Sequence, residues 1–372
     1  MKPRIFHIWD FPDTTRVKLK DQEIFLRKLA LKEGSLVSLS QKIGLPKHAV
    51  TSWIRYDLFI PLIELKKLVH HFNLDKEEIE MRILAYKGAN TSNSIINPQL
   101  PIKESPEIFE IITHLIGDGC VNKNGIPMYV NSNMALRKNF TQLLQIFGEI
   151  PINEYQMKHN GCYTITCSKI IPDFLRKIYN LNFYSCSASL PEEIFYLPKE
   201  FQIGVLRAII DDEGTIKDSR ITISMKNMKI ISQLRDLVQK VFGENSVGKI
   251  SSTKDGCYLF GINARELKNV SSNILLIHPK KKEQILCCLE RQKSKLRLNK
   301  TIRKREILEL LKTKSYLSYD LSNVLLINTS NVNIYLKELQ NESLITNLKE
   351  GYGFRWYITP IGQKNLKTLG GF

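Results

Sequence analysis

Two periods alternate along the middle of the chain, and the whole alternation occurs twice. Five of the eight positions from Phe109 to Ile116 are apolar, a largely apolar run that predicts a buried helix. Strand-like alternation follows near Cys120 and over Met128 to Asn131. A helical spacing over Met134 to Phe147 comes next, then alternation again near Tyr155 and over Tyr163 to Cys167, before a closing helix. The order is αββαββα. The alternating Ile221, Ile223 and Met225 mark the matching strand of the second pass.

Landmarks fix the register of the repeat. Asp118-Gly119 recurs as Glu213-Gly214, Phe147-Gly148 as Phe242-Gly243, and Gly161-Cys162-Tyr163 as Gly256-Cys257-Tyr258, each 95 positions on (213 − 118, 242 − 147, 256 − 161). The Asn-Met pairs Asn133-Met134 and Asn227-Met228 slip from that offset by one residue. A duplicated unit is expected, over residues 105–195 and 196–292.

The flanks read differently. Gly88 to Pro106 is polar, carries three prolines and holds no period, so it reads as a linker after a first domain of residues 1–90. Within that domain Leu36 to Ile54 has the spacing of a helix-turn-helix, with small Ser40 and turn-forming Gly44 followed by apolar Val50 and Trp53. This predicts an all-α domain with Lys47, His48, Thr51, Ser52 and Arg55 on the face that meets DNA. A helical bundle for protein contacts is the alternative. After a basic break from Arg291 to Arg305, residues 300–372 read as three helices, a hairpin turning at Gly351 and Gly353, and a closing helix. That is the pattern of a winged helix, with Asn331, Asn333 and Lys337 on its third helix and Lys349 and Arg355 flanking the tip. Winged helices also pair with proteins.

Composition narrows the partner. A formal charge of +17 draws the chain to polyanions, and its basic residues are scattered through patterned sequence rather than gathered in one amphipathic arm, so double-stranded DNA is favoured over a membrane surface. No stretch approaches the roughly 18 uninterrupted apolar residues of a membrane span, and Met1 to Asp10 has no signal-peptide core. A cytoplasmic monomer is expected. Seven cysteines without metal-site spacing read as reduced thiols, and the histidines, His114 among them, as isolated side chains. The ends carry no splicing residues, which predicts a free-standing protein.

The candidate chemistry sits in the two apolar helices, Ile111 to Gly119 and Leu206 to Gly214. Each presents a carboxylate in its last turn and then a glycine. A carboxylate at the negative end of a helix dipole is locally unfavourable, and a divalent cation between two such ends would compensate. Both segments resemble the LAGLIDADG motif, written with GDG in one copy and DxEG in the other. Tyr129 to Asn133, Ile223 to Asn227 and His278 to Lys282 are similar to further segments of that homing endonuclease family. The resemblance covers roughly residues 105 to 290.

The resemblance implies an α+β fold: a duplicated αββαββα core, here with the helix-turn-helix domain before it and the winged helix after it. It implies motif helices side by side, and metal-binding catalytic acids at Asp118 and Glu213. It also implies a Mg2+ or Mn2+ cofactor and hydrolysis of DNA phosphodiesters. Gly117 and Ala208 fit the small residues of such a helix contact, whereas Thr113 is larger. The family often places a lysine in the loop after the last strand pair of each copy. Lys280, Lys281 and Lys282 offer it in copy two, while Asn182 to Pro191 in copy one has none, so nicking of one strand is an alternative to double-strand cleavage. A transcription regulator that keeps the scaffold without cleavage and an RNA-splicing maturase are the other readings. Asp211 and Asp212 read either as support for Glu213 or as a solvated helix end.

Overall fold

A computed structural model of the chain describes residues 2–46, 48–89, 91, 93–157, 161–184, 186–217, 220–293, 300–351 and 353–369. The chain separates into two compact units. One holds Met1–Gly214, Ile223–Phe260 and Asn273–Pro279, the other Thr215–Thr222, Gly261–Ser272 and Lys280–Phe372.

The N-terminal stretch runs β1 (Ile5–Phe6), β2 (Arg16–Leu19), α1 (Gln22–Lys32), α2 (Leu36–Lys42), α3 (Ala49–Arg55), β3 (Ile60–Pro61), α4 (Leu62–His71), α5 (Lys76–Met81), β4 (Ile83–Lys87), β5 (Ile95–Ile96) and β6 (Ile102–Lys103). It is not all-α. Strands in the order β3-β2-β4-β5 form an antiparallel sheet, and β1 pairs with β6. These strands have two to five residues, too few for alternation to stand out against the helical spacing around them.

The expected linker also takes structure, since β5 and β6 lie within it. Ile96 and Glu149 exchange backbone hydrogen bonds of 2.9 and 2.8 Å, and buried Glu104 accepts from the Arg4 backbone at 2.9 Å and the Tyr179 hydroxyl at 2.8 Å. Apolar contacts cross the same boundary. Phe11 stacks on Phe174 with centroids 4.4 Å apart, and the Tyr86 hydroxyl donates to the Phe147 carbonyl at 3.0 Å. Phe11 and Tyr86 are fully buried, so this stretch shares a core with the first copy of the repeat.

The first copy comprises α6 (Pro106–Ile116), β7 (Gly119–Val121), β8 (Pro127–Asn131), α7 (Met134–Leu144), β9 (Asn153–Gln156), β10 (Tyr163–Thr166) and α8 (Ile170–Tyr179). The second comprises α9 (Lys199–Glu213), β11 (Gly214–Lys217), β12 (Arg220–Met225), α10 (Met228–Phe242), β13 (Ser251–Ser252), β14 (Tyr258–Ile262) and α11 (Leu267–Asn273). Both follow αββαββα, and their sheets have the same order, β7-β8-β10-β9 and β11-β12-β14-β13. The fold is a duplicated α+β unit.

Local chemistry repeats with the topology. Asn133 caps α7 by accepting from the amides of Ala135 and Leu136 at 2.9 and 3.3 Å, and Asn227 caps α10 through Lys229 and Ile230 at 3.0 and 3.3 Å. Each satisfies amides that the first turn of a helix leaves unpaired. In the first sheet Gly119 stands opposite Tyr129 and Asn131 opposite Tyr163. Tyr129 and Ile165 point into the core, while β9 is exposed along its length.

The chain continues through α12 (Pro279–Lys293), α13 (Lys300–Thr313), β15 (Tyr316–Leu317), α14 (Ser318–Val324), α15 (Thr329–Asn341), β16 (Ile345–Glu350), β17 (Gly353–Ile358) and α16 (Pro360–Leu369). The strands order as β15-β17-β16, and the β16–β17 hairpin pairs from Ile345 opposite Ile358 to Glu350 opposite Gly353. Its turn passes through Gly351 at φ +57, a left-handed conformation that glycine adopts without strain. Ile307, Leu311, Leu321, Val332, Leu336 and Trp356 form its core, and Trp356 Nε1 donates to Ser318 Oγ at 3.0 Å. Among the described residues no helix is long and apolar enough to cross a membrane.

Candidate active site

Helices α6 and α9 pack against each other. In α6 every residue from Ile108 to Ile116 is buried, as a helix requires when it is covered by a sheet and by a second helix. Its polar members are therefore answered inside the protein. Thr113, larger than the small residue expected at such a contact, turns its hydroxyl back onto the Phe109 carbonyl at 2.7 Å. Glu110 accepts from Arg207 of α9, Nε to Oε2 at 3.2 Å, with a second contact through Nη2. Burial of Glu110 outweighs the Arg207 charge and raises its carboxyl pKa.

The helix ends explain the motif glycines. A Cβ on Gly119 would lie 2.5 Å from the His114 carbonyl oxygen, and one on Gly214 would lie 2.5 Å from the Ile210 carbonyl oxygen. Neither glycine adopts positive φ. They are required by space, not by a left-handed helix cap.

Asp118 and Glu213, both half-buried, stand at equivalent repeat positions beside these glycines, but only Glu213 lies in the last turn of its helix; α6 ends at Ile116, so Asp118 follows the helix and is not carried by its last turn. Asn131 Nδ2 donates to Asp118 Oδ2 at 2.7 Å. The two acids before Glu213 are not a solvated helix end. Asp211 accepts the backbone amides of Ile277 and His278 at 2.8 and 3.0 Å and so clamps the segment leading to α12; burial nevertheless raises its pKa. Asp212 reaches across to the first copy, where its buried carboxylate meets His114 Nδ1 at 2.9 Å and accepts from the Tyr129 hydroxyl at 2.8 Å.

His114 and Tyr129 escape a reading of the sequence, which takes His114 for an isolated core side chain. A polar residue in the middle of the apolar run is the one signal of its partner. Burial, the largest influence on His114, pushes its pKa down, but the charge and hydrogen bond of Asp212, with Glu110 and Asp211, prevail and raise it. Burial and the same carboxylate push the Tyr129 phenol far up, so it stays a donor.

Among the described residues no three His, Cys, Asp or Glu side chains form a metal-holding cluster. Asp118 and Glu213 offer carboxylate oxygens, a donor set that suits a hard divalent cation keeping water or phosphate oxygens in its other positions. Lys280, Lys281 and Lys282 lie in the first turn of helix α12 and not in a loop, with Lys280 and Lys282 exposed. In the lysine-free segment of copy one, Asn182 accepts from the Tyr184 amide at 2.9 Å and donates to Ser187 Oγ at 2.8 Å.

Of the other candidate contacts, Lys47 lies outside the described residues. Helices α2 and α3 are joined through Gly44 at φ +65, and Ser40 is fully buried. His48 and Arg55 are exposed and Thr51 and Ser52 half-buried, while Val50 and Trp53 face the core. Asn331, Asn333 and Lys337 lie on the exposed face of α15. Lys349 is exposed on the hairpin, whereas Arg355 is engaged, donating from Nη2 to Glu350 at 3.1 Å.

No protein-family model matches the chain. A stretch of 179 residues, 47% of the chain, is 27% identical to the glutamine–fructose-6-phosphate aminotransferase [isomerizing] of Methanocaldococcus jannaschii, and it spans 16% of that protein. Among solved structures, the full-length DUF199/WhiA protein of Thermatoga maritima has a TM-score of 0.38 at 14% identity, over 64% of this chain and 92% of that one. The N-terminal LAGLIDADG domain of DUF199/WhiA has a TM-score of 0.34 at 15% identity, over 48% and 87%. The homing endonuclease I-DmoI in complex with DNA and Mn has a TM-score of 0.34 at 17% identity, over 46% and 97%. In fold, the chain is similar to LAGLIDADG proteins, a homing endonuclease and the LAGLIDADG domain of WhiA among them.

Proposed function

We propose that this chain is a site-specific DNA endonuclease that hydrolyses phosphodiester bonds with Mg2+ or Mn2+. The observation that carries the reading is the duplication itself: two packed motif helices, α6 and α9, are followed or closed at equivalent repeat positions by an acid, Asp118 two residues past the end of α6 and Glu213 as the last residue of α9. A divalent cation would supply Lewis-acid stabilisation and an activated water there. Asp118 and Glu213 would hold metal, Asn131 keeps the Asp118 carboxylate oriented, and the basic first turn of α12, Lys280 to Lys282, is assigned the stabilisation of charge on the phosphate.

The flanking regions extend the grip on DNA. We read α2 and α3 as a helix-turn-helix that offers Lys47, His48, Thr51, Ser52 and Arg55, and residues 300–372 as a winged helix that offers Asn331, Asn333, Lys337, Lys349 and Arg355. The net charge of +17 supports a large phosphate-contacting surface. The test is selection of a bound site from a randomised DNA library, followed by incubation of a supercoiled plasmid carrying that site with Mg2+ or Mn2+. Nicked or linear product is expected. Tight binding that leaves the plasmid intact with either metal overturns the nuclease and leaves a DNA-binding regulator.

A further inference from the structure

A chain of hydrogen bonds leads from the second copy of the repeat to the acid of the first. Asp212 of α9 accepts from the Tyr129 hydroxyl at 2.8 Å; Asn131 Nδ2 lies 3.4 Å from that hydroxyl oxygen and donates to Asp118 Oδ2 at 2.7 Å. The far end of the chain is sealed. The Asp212 side chain is fully buried, its second oxygen meets His114 Nδ1 at 2.9 Å, and His114 is itself 1% exposed. Stacking of Tyr129 on Phe140, centroids 4.6 Å apart, and the edge contact of His114 with Tyr129 at 5.2 Å hold the rings in place.

A carboxylate taken this far from water is costly unless it serves as an acceptor for fixed donors. Here the donors belong to the opposite copy, and one of them, Tyr129, lies beside the residue that orients Asp118. The arrangement has no counterpart by sequence in the reverse direction, because the position equivalent to Asp212 in the first copy is Gly117 (212 − 117 = 95).

We propose that Asp212 and Tyr129 are positioning residues for Asp118: the buried Asp212–His114 couple fixes the Tyr129 hydroxyl, which with Asn131 sets the direction of the Asp118 carboxylate. The inference rests on the reading of Asp118 as a metal-holding acid. It makes the two acids unequal, with Asp118 placed by both copies of the repeat.

Tyr129→Phe cuts the chain at one oxygen and keeps the ring and its stacking, so it tests the link where Asp212→Asn, in a fully buried site, risks the fold. The protein bound to its selected DNA is titrated with Mn2+ alone, and free Mn2+ is read by its electron paramagnetic resonance. Cleavage is followed in parallel as kcat and KM. Tyr129→Phe is expected to melt within a few degrees of wild type while Mn2+ affinity and kcat each fall roughly tenfold, the scale of one hydrogen bond to a charged group, with KM unchanged. A variant that is merely less stable, with Mn2+ affinity and kcat of wild type below its melt, overturns the inference. Mn2+ affinity that falls in Tyr129→Phe and in Asp118→Asn while the wild type cuts nothing upholds it and removes only the nuclease. A wild-type complex that takes up no Mn2+ overturns both.

Discussion

The Asp212 carboxylate fills the space that a side chain at residue 117 would need. A Cβ on Gly117 would lie 2.9 Å from Asp212 Oδ2 and 3.1 Å from the Asp212 Cβ. The two residues are equivalent in the repeat, so one copy keeps an acid where the other gives up its side chain. Gly117→Ala is therefore expected to destabilise the protein by about 1–3 kcal/mol, the range for an extra methyl in a packed contact. Asp212→Ala opens that space, and the cost of Gly117→Ala should shrink in its background, a coupling that urea denaturation of the four proteins in the cycle measures. Equal costs in both backgrounds would refute the contact.

Glu110 gives the stability of the helix pair a pH dependence of definite sign. Burial, the largest cause, raises its folded pKa despite Arg207. A carboxyl with a raised folded pKa holds its proton more tightly when native, so its contribution is fully present below its unfolded pKa and is lost as pH rises through the folded value. Urea midpoints from pH 4 to pH 7 should show wild type losing stability relative to Glu110→Gln across that window. The opposite slope would mean that the Arg207 pair, and not burial, dominates.

The parts of this fold that repeat at short range were legible in the sequence. Alternation and helical spacing are local, and they yielded αββαββα in both copies with Glu213 at the end of α9, although Asp118 falls two residues past the end of α6. The strands of the N-terminal region were not legible, since β1, β3, β5 and β6 have two residues each and owe their pairing to partners far along the chain. The Asp212 network was hidden for the same reason: His114 lies 98 residues from Asp212 and Tyr129 lies 83, separations at which no period speaks. Asp211 and Asp212 read equally as support for Glu213 or as a solvated helix end, because nothing in their neighbours along the chain supplies a donor. The lysines at 280–282 read as a loop, whereas the proline before them starts α12, the position in a helix that tolerates its missing amide.

DNA binding is expected to weaken steeply with salt, because a protein of charge +17 displaces condensed counterions when it meets phosphate. Arg55→Ala and Lys337→Ala each remove one exposed cation, from α3 and from α15, and each should lower the slope of log affinity against log salt by about one. Cutting at saturating protein should be unchanged in both. Arg355→Ala is expected to matter less than Lys349→Ala, since Arg355 is already paired with Glu350. Fluorescence anisotropy at four ionic strengths decides it, and a flat salt titration would refute the phosphate-contacting surface.

The two acids should fail in different ways. Asp118→Asn and Glu213→Gln keep shape and remove the negative charge that holds a divalent cation, so each is expected to depress double-strand cleavage steeply while DNA binding persists or tightens, a negative charge near phosphate having been lost. Their surroundings are not alike, however. Asp118 accepts from Asn131, and an amide in its place offers Asn131 Nδ2 either an oxygen or a second NH2 group according to its flip, so part of the local geometry survives in Asp118→Asn. The first copy also has no lysine from Asn182 to Pro191, whereas the second is followed by Lys280 to Lys282. If each acid serves one strand, the strand served by the first copy is the slower one already, and loss of Glu213 then removes the faster cut. Wild-type protein should pass through a nicked intermediate, and strand-resolved sequencing of the ends should find that Glu213→Gln abolishes the first nick while Asp118→Asn spares it and blocks linearisation. Simultaneous loss of both cuts in each variant would show that the acids hold a shared cation, and equal rates on the two strands of wild-type substrate would refute the asymmetry.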